Sequence, residues 1–142
     1  MTAPDPGPPT QAALRELAAW ESRLADPSFA MGAWTDAVTR ADGVIEMPCF
    51  TLSESGDAFA RAMAGAGLVR PFDWPAWLET PRGQELRQPA PVASATPAEL
   101  ANLVTAIVRS ERFSEGSIEG AFESGLLLAI ARRARALVED RS

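Results

Sequence analysis

The chain contains no histidine, no lysine and no tyrosine, and its single cysteine is Cys49. Without histidine it lacks the one side chain that titrates unperturbed near neutrality, and the commonest metal ligand with it. Without lysine it has no Schiff-base nucleophile. A lone cysteine makes no internal disulfide and no CxxC pair, as expected in a reducing cytoplasm. Cys49 also has no histidine to activate it, so it reads as an inert thiol. The serines lack a partner base for the same reason, which argues against a Ser hydrolase. No P-loop, GxGxxG or zinc-ligand spacing occurs, so neither a cofactor nor a metal is expected. No stretch approaches the roughly 20 apolar residues of a membrane span. The first residues lack the basic and apolar regions of a signal peptide.

What is present is 142 residues, 46% of them hydrophobic, with 13 arginines against 19 carboxylates and a net charge of −6. This length suits one domain, able to bury about 68% of its unfolded surface without a staple. The acidic balance argues against unspecific nucleic-acid or anionic-membrane binding, both of which need a positive field. Partners are therefore expected to be another protein or a second copy of the chain.

Residues 1–9 hold four prolines and a glycine and are expected to form a disordered or extended tail. A single helical domain is expected over 10–142. Thr10 precedes a helical run over 11–25, with Leu14, Leu17 and Leu24 on its apolar side and Trp20 off that stripe, free for self-association. The spacing of Phe29, Met31, Trp34 and Val38 predicts a short helix over 33–41. Asp42-Gly43 marks a turn, and residues 44–52 read as an edge strand broken by Pro48. Ser53 or Ser55 caps a helix over about 54–65 that buries Phe59 and Met63. Leu68-Val69-Arg70 reads as a second short strand. A helix capped by Asp73, with Pro75 in its first turn, is expected to reach about Leu86. Residues 87–95 form an extended connector. Thr96-Pro97-Ala98-Glu99 combines a Thr cap, Pro at the first helical position and a carboxylate at the third, a capping box for a helix over 97–110. Its polar face carries Asn102, Thr105 and Arg109. Ser117 caps the last helix, over 118–139, whose centre, Leu126 to Ala131, is apolar on all sides and so belongs in the middle of the fold.

Three constellations bear on chemistry. Arg109 and Arg112 stand at helical spacing before a loop holding Glu115, Gly116 and Ser117. Two readings stay open there. The arginines could grip an anion beside the amides of Gly116, Ser117 and Ile118, or they could pair with Glu119 and Glu123 and fasten a helical hairpin. Next, Phe72, Asp73, Trp74 and Trp77 lie within a few residues. They form either an aromatic pocket for a partner or a packing wedge with a helix cap. Glu46 and Asp73, flanking the strand candidates, make a weak carboxylate pair.

The segments Gly43 to Glu54, Pro71 to Trp77, Arg109 to Gly116 and Phe122 to Gly125 together resemble a family of small bacterial and archaeal proteins catalogued only as a domain of unknown function. The resemblance spans about residues 43–138, leaving out the first helix. It implies a compact, largely helical intracellular domain with its signature concentrated at Asp73–Trp77 and Arg109–Gly116. Relatives often carry an aromatic where Cys49 stands and a histidine where Ser117 stands.

The expected fold is mainly α: five to six helices around the apolar C-terminal helix, with at most a small two-stranded β element. The expected function is a non-enzymatic intracellular interaction or regulatory module with an aromatic groove. The alternative is a domain, possibly catalytic, that binds a small anionic ligand or nucleotide through the paired arginines. The candidate residues are Asp73, Trp74, Trp77, Arg109, Arg112, Glu115, Gly116 and Ser117.

Overall fold

Helix starts follow hydroxyl and carboxylate caps along most of the chain, because the first amides of a helix have no partner within it. The computed structural model describes residues 7–26, 28–34, 38–46, 50–114 and 116–140. Cys49 and Glu115 lie outside them. Helix α1 is Gln11–Ala19, with the Ala13 amide donating to Thr10 Oγ1 at 3.1 Å. Helix α2 is Glu21–Leu24. The break falls at Trp20, which is 5% exposed. Its ring stands edge-on to Phe59 at 5.2 Å and Phe29 at 6.5 Å. Trp20 is thus a core residue, and the expectation that it serves self-association is corrected.

The helix expected over 33–41 is replaced by strands. β1 (Gly32–Trp34) pairs antiparallel with β4 (Phe50–Leu52), and β2 (Val38–Thr39) with β3 (Ile45–Glu46). The second ladder is nested inside the first in sequence. The Asp42-Gly43 turn closes it: the Val44 amide donates to Asp42 Oδ1 at 3.0 Å, and Gly43 has φ +87°. Residues 68–70 are not a strand. Leu68 is fully buried, and the Arg70 amide goes to the Thr105 hydroxyl at 3.1 Å instead of to a ladder.

Helix α3 (Glu54–Gly65) is capped by Ser53 and buries Phe59 and Met63. The helix expected from Asp73 to Leu86 is two: α4 (Trp74–Leu78) and α5 (Pro81–Glu85). Thr80-Pro81 separates them through the same signal as Thr96-Pro97, with the Gly83 amide donating to Thr80 Oγ1 at 3.0 Å. The connector holds a 3-10 helix, Ala90–Ser94. Helix α6 (Pro97–Ser110) begins with the full capping box. The long C-terminal helix is also two, α7 (Ser117–Glu123) and α8 (Leu126–Asp140), divided at Gly125 with φ +84°. A left-handed residue ends the first, and only glycine takes it without strain.

The fold is mainly α, as expected. Helix α8 packs against α1, α2, the 3-10 helix, α6 and α7, and buries Leu126, Leu127, Ile130, Ala131 and Ala134. Helix α6 is as central: every residue from Leu100 to Ile107 is buried. Asn102 and Thr105, assigned to a polar face by the sequence, are therefore interior. They stay there because each is hydrogen-bonded. Thr105 Oγ1 lies 2.8 Å from the carbonyls of both Leu68 and Ala101, and Asn102 Oδ1 accepts from Arg70 Nη2 at 2.9 Å. Arg70 also donates to the Gly7 carbonyl, tying residue 7 to α6.

Candidate functional site

The start of α4 and the turn after α6 meet. Asp73 caps α4 by accepting from the Ala76 amide at 3.2 Å, which fixes Trp74 at the first helical position. The Trp74 ring lies 6.4 Å from the ring of Phe113, tilted by 38°. Phe113 sits in the turn after α6 and is 82% exposed, the most exposed of the large apolar side chains described. Trp77 does not join this surface. It is half-buried and packs on the core, and its carbonyl accepts from Thr80 Oγ1 at 2.6 Å. The aromatic feature is thus a raised pair, Trp74 with Phe113, rather than a pocket formed by Trp74 and Trp77.

Arg109 is half-buried and Arg112 exposed. Among the described residues neither makes an ion pair. The hairpin-fastening pairs with Glu119 and Glu123 do not form. Helix α7 turns Glu119 toward the backbone of Met31 and Gly32 instead. Burial pushes the Glu119 carboxyl above its ordinary range, helped by the Glu123 charge and a hydrogen bond with it. The Met31 and Gly32 amides oppose the shift.

Two of the three amides expected to hold an external anion already have one, and the third, that of Ser117, donates to the Ser114 carbonyl at 3.2 Å. Glu111 accepts from the Gly116 amide at 2.7 Å and from the Ile118 amide at 3.0 Å. A carboxylate of the chain itself thereby meets the positive end of α7. Gly116 enters the helix at φ +89°. Ser117 donates its hydroxyl proton to the Ser114 carbonyl at 2.7 Å, so it is not the side-chain cap that was expected. Any anion at this loop would rely on Arg109 and Arg112 without those amides. Asp73 is committed to its cap, and the side chain of Glu46 lies outside the described residues. The Glu46–Asp73 pair gains no support.

Ser117 contributes to a different feature. A groove of about 290 Å³ runs between α6 and α7, with Leu103, Ile107, Ala121 and Leu126 among its apolar surfaces and Ser110, Ser117, Ser124 and Arg87 among its polar ones. It does not include Trp74, Arg109 or Arg112. A second hollow, about 430 Å³, lies between the 3-10 helix and α8 and includes Leu128, Arg132 and Arg133.

Phe113, Glu111, Arg87 and Ser110 were not among the residues singled out from the sequence. Phe113 carried a signal: one aromatic inside Ser110-Glu111-Arg112-Phe113-Ser114-Glu115 has no apolar neighbour to share a buried face with. Glu111 carried none, because its partners depend on how tightly the loop turns.

A sequence model of a family of unknown function (DUF6508) matches residues 9–140, and the chain belongs to that family. The match takes in α1, which the resemblance over 43–138 had left out. No curated protein and no solved structure matches the chain. Among the described residues no group of acidic or cysteine side chains converges as metal ligands would, and no helix is long and apolar enough to cross a membrane.

Proposed function

We propose that this member of the family is an interaction module, without catalysis of its own, that binds a partner through the Trp74–Phe113 pair and the flanking guanidinium groups of Arg109 and Arg112. The observation that carries this reading is Phe113, 82% exposed against Trp74. Leaving a phenylalanine in water forgoes roughly 1.5–3 kcal/mol of burial, and binding recovers it. Aromatics and arginine are also the residue types that most often dominate interface energetics. Two arginines that make no ion pair among the described residues, in a chain of net charge −6, favour a surface that pairs an apolar side chain with carboxylates.

The test is capture by the tagged full-length chain, compared with Trp74→Ala and Phe113→Ala variants shown by circular dichroism to be folded. Loss of partner with either variant is expected. Retention with both overturns the reading. Anion binding by Arg109 and Arg112 is the second reading, supported by the absence of an ion pair to either among the described residues. Thermal shift against phosphate, sulfate and nucleotides decides it, since a ligand at one hundred times its Kd stabilises by about 2.7 kcal/mol.

A further inference from the structure

The hollow between the 3-10 helix and α8 joins an apolar floor to two cations. Its volume is about 430 Å³, inside the range of roughly 300–1,000 Å³ in which small-molecule sites fall. Pro89, Ala93, Leu128 and Ala129 supply apolar surface, and its charged lining residues are Arg132 and Arg133. Among the described residues no carboxylate lines it. In a chain of net charge −6, a hollow whose charge is all positive selects for an anion.

The hydrogen bonding of the two arginines leaves them open to one. Arg133 is half-buried and donates from Nε to the Ala95 carbonyl at 2.8 Å. Among the described residues it makes no ion pair. The bond to Ala95 uses one of the five N–H donors of a guanidinium. It holds the fork in place and leaves both Nη nitrogens for a ligand. A half-buried charge without a counter-ion carries a desolvation cost that a bound anion would offset. Arg132 is exposed and lies 3.7 Å from Glu21, but Glu21 holds Arg135 closer, at 2.7 Å. The acids on the neighbouring helices α5 and α6, Glu85 and Glu99, both pair with Arg82.

The head group of the ligand follows from the guanidinium, whose planar fork matches a carboxylate through two parallel N–H···O bonds. The body follows from the floor. A cavity of about 150 Å³ holds benzene, so the larger hollow leaves room for a chain of about eight carbons. We infer that this hollow binds a small amphiphilic carboxylate, its head on Arg133 and Arg132 and its apolar body on Ala93, Leu128 and Ala129. Trp74, Arg109, Arg112 and Phe113 do not line the hollow, so the site is separate from the surface proposed above.

Isothermal titration and methyl NMR of the full chain with octanoate test the inference. Saturable binding is expected at millimolar octanoate or below, with shifts in the methyls of Ala93, Leu128 and Ala129. Octan-1-ol keeps the body without the charge, and acetate keeps the head without the body. Each should bind at least about tenfold more weakly. Arg133→Gln should weaken octanoate by about tenfold or more, the loss of one charge-assisted hydrogen bond. It should leave octan-1-ol unchanged, a selectivity that a merely structural role for Arg133 would not produce. Ala129→Phe fills the hollow and should abolish binding. Ala136→Phe, at an exposed lining position, takes its place if that variant does not fold.

No saturable binding of octanoate overturns the inference. So does octan-1-ol bound as tightly as octanoate, a folded filled variant that binds like wild type, or an Arg133→Gln protein that weakens both probes equally. Trp74→Ala and Phe113→Ala should bind octanoate as wild type does. Loss with either would place the probe on the aromatic surface and refute a separate site.

Discussion

Replacing Gly83 by alanine sets two effects of opposite sign against each other. Gly83 is the middle residue of α5, and an alanine in a helix interior is favoured over glycine by about 0.5–1 kcal/mol. A Cβ at this position would fall 2.1 Å from the Trp77 carbonyl oxygen and 2.9 Å from the Leu78 Cα. Both are backbone atoms, so no rotamer change relieves the contact, and α4 or α5 must shift. Overpacking of this kind costs about 1–3 kcal/mol, and a clash with backbone belongs at the top of that range. The expected net loss is about 2 kcal/mol, or roughly 4–8 °C in Tm for a domain near 150 residues. Gly120 is the control. It also lies inside a helix, but nothing stands within 4 Å of its Cβ position, so Gly120→Ala should gain about 0.5–1 kcal/mol from propensity alone. Thermal and urea unfolding of the two variants beside wild type measures both. A Gly83→Ala protein as stable as wild type, or more so, would refute the close approach of α5 to the end of α4. The consequence reaches the candidate surface, because α4 holds Trp74 against Phe113.

Two further outcomes follow from interior polar groups. Thr105 is fully buried and its hydroxyl serves Leu68, Ala101 and Arg70. Thr105→Val should therefore destabilise by roughly 1–3 kcal/mol by stranding the Arg70 amide and a carbonyl. Thr105→Ser, which keeps the hydroxyl, should cost less in the same urea titration. Glu119 has its folded-state titration raised by burial and by Glu123. The folded protein thus binds more protons than the unfolded one between the ordinary and the raised value, and stability falls as pH rises through that window. Glu119→Gln should accordingly raise the urea midpoint at pH 7, with the gain shrinking as pH drops below the ordinary carboxylate value. An equal gain at both ends, or a loss at pH 7, would contradict this assignment.

Local chemistry made most helix starts legible. Thr10, Ser53, Asp73 and Thr96 all cap where the sequence places a cap, because a capping side chain and the amides it serves are neighbours along the chain. The breaks at Thr80-Pro81 and Gly125 had equally local signals, but apolar periodicity ran across them and masked them. The strands at 32–34 and 38–39 were missed because their identity rests on pairing with 50–52 and 45–46, and spacing compatible with a helix outweighed it. Asn102 and Thr105 read as a polar face because a buried polar residue is tolerated only by partners distant in sequence, here Leu68 and Arg70. The meeting of Trp74 with Phe113 is of the same kind. The sequence marked both segments, but only the packing of α4 on α6 brings the rings together. The anion reading changed for a related reason: Glu111 reaches the amides of α7 through a turn that spacing alone does not define.

Hydroxyl-radical footprinting of the purified chain, read residue by residue with mass spectrometry, puts the account to its most direct test. In dilute protein Phe113 should be oxidised heavily and Phe59, which is fully buried, hardly at all. With added partner, Phe113 and Trp74 should become protected together while Phe59 stays unchanged. A Phe113 as shielded as Phe59 in dilute protein, or one whose labelling never changes when a partner binds, would contradict the claim that this surface is where the protein makes its contacts.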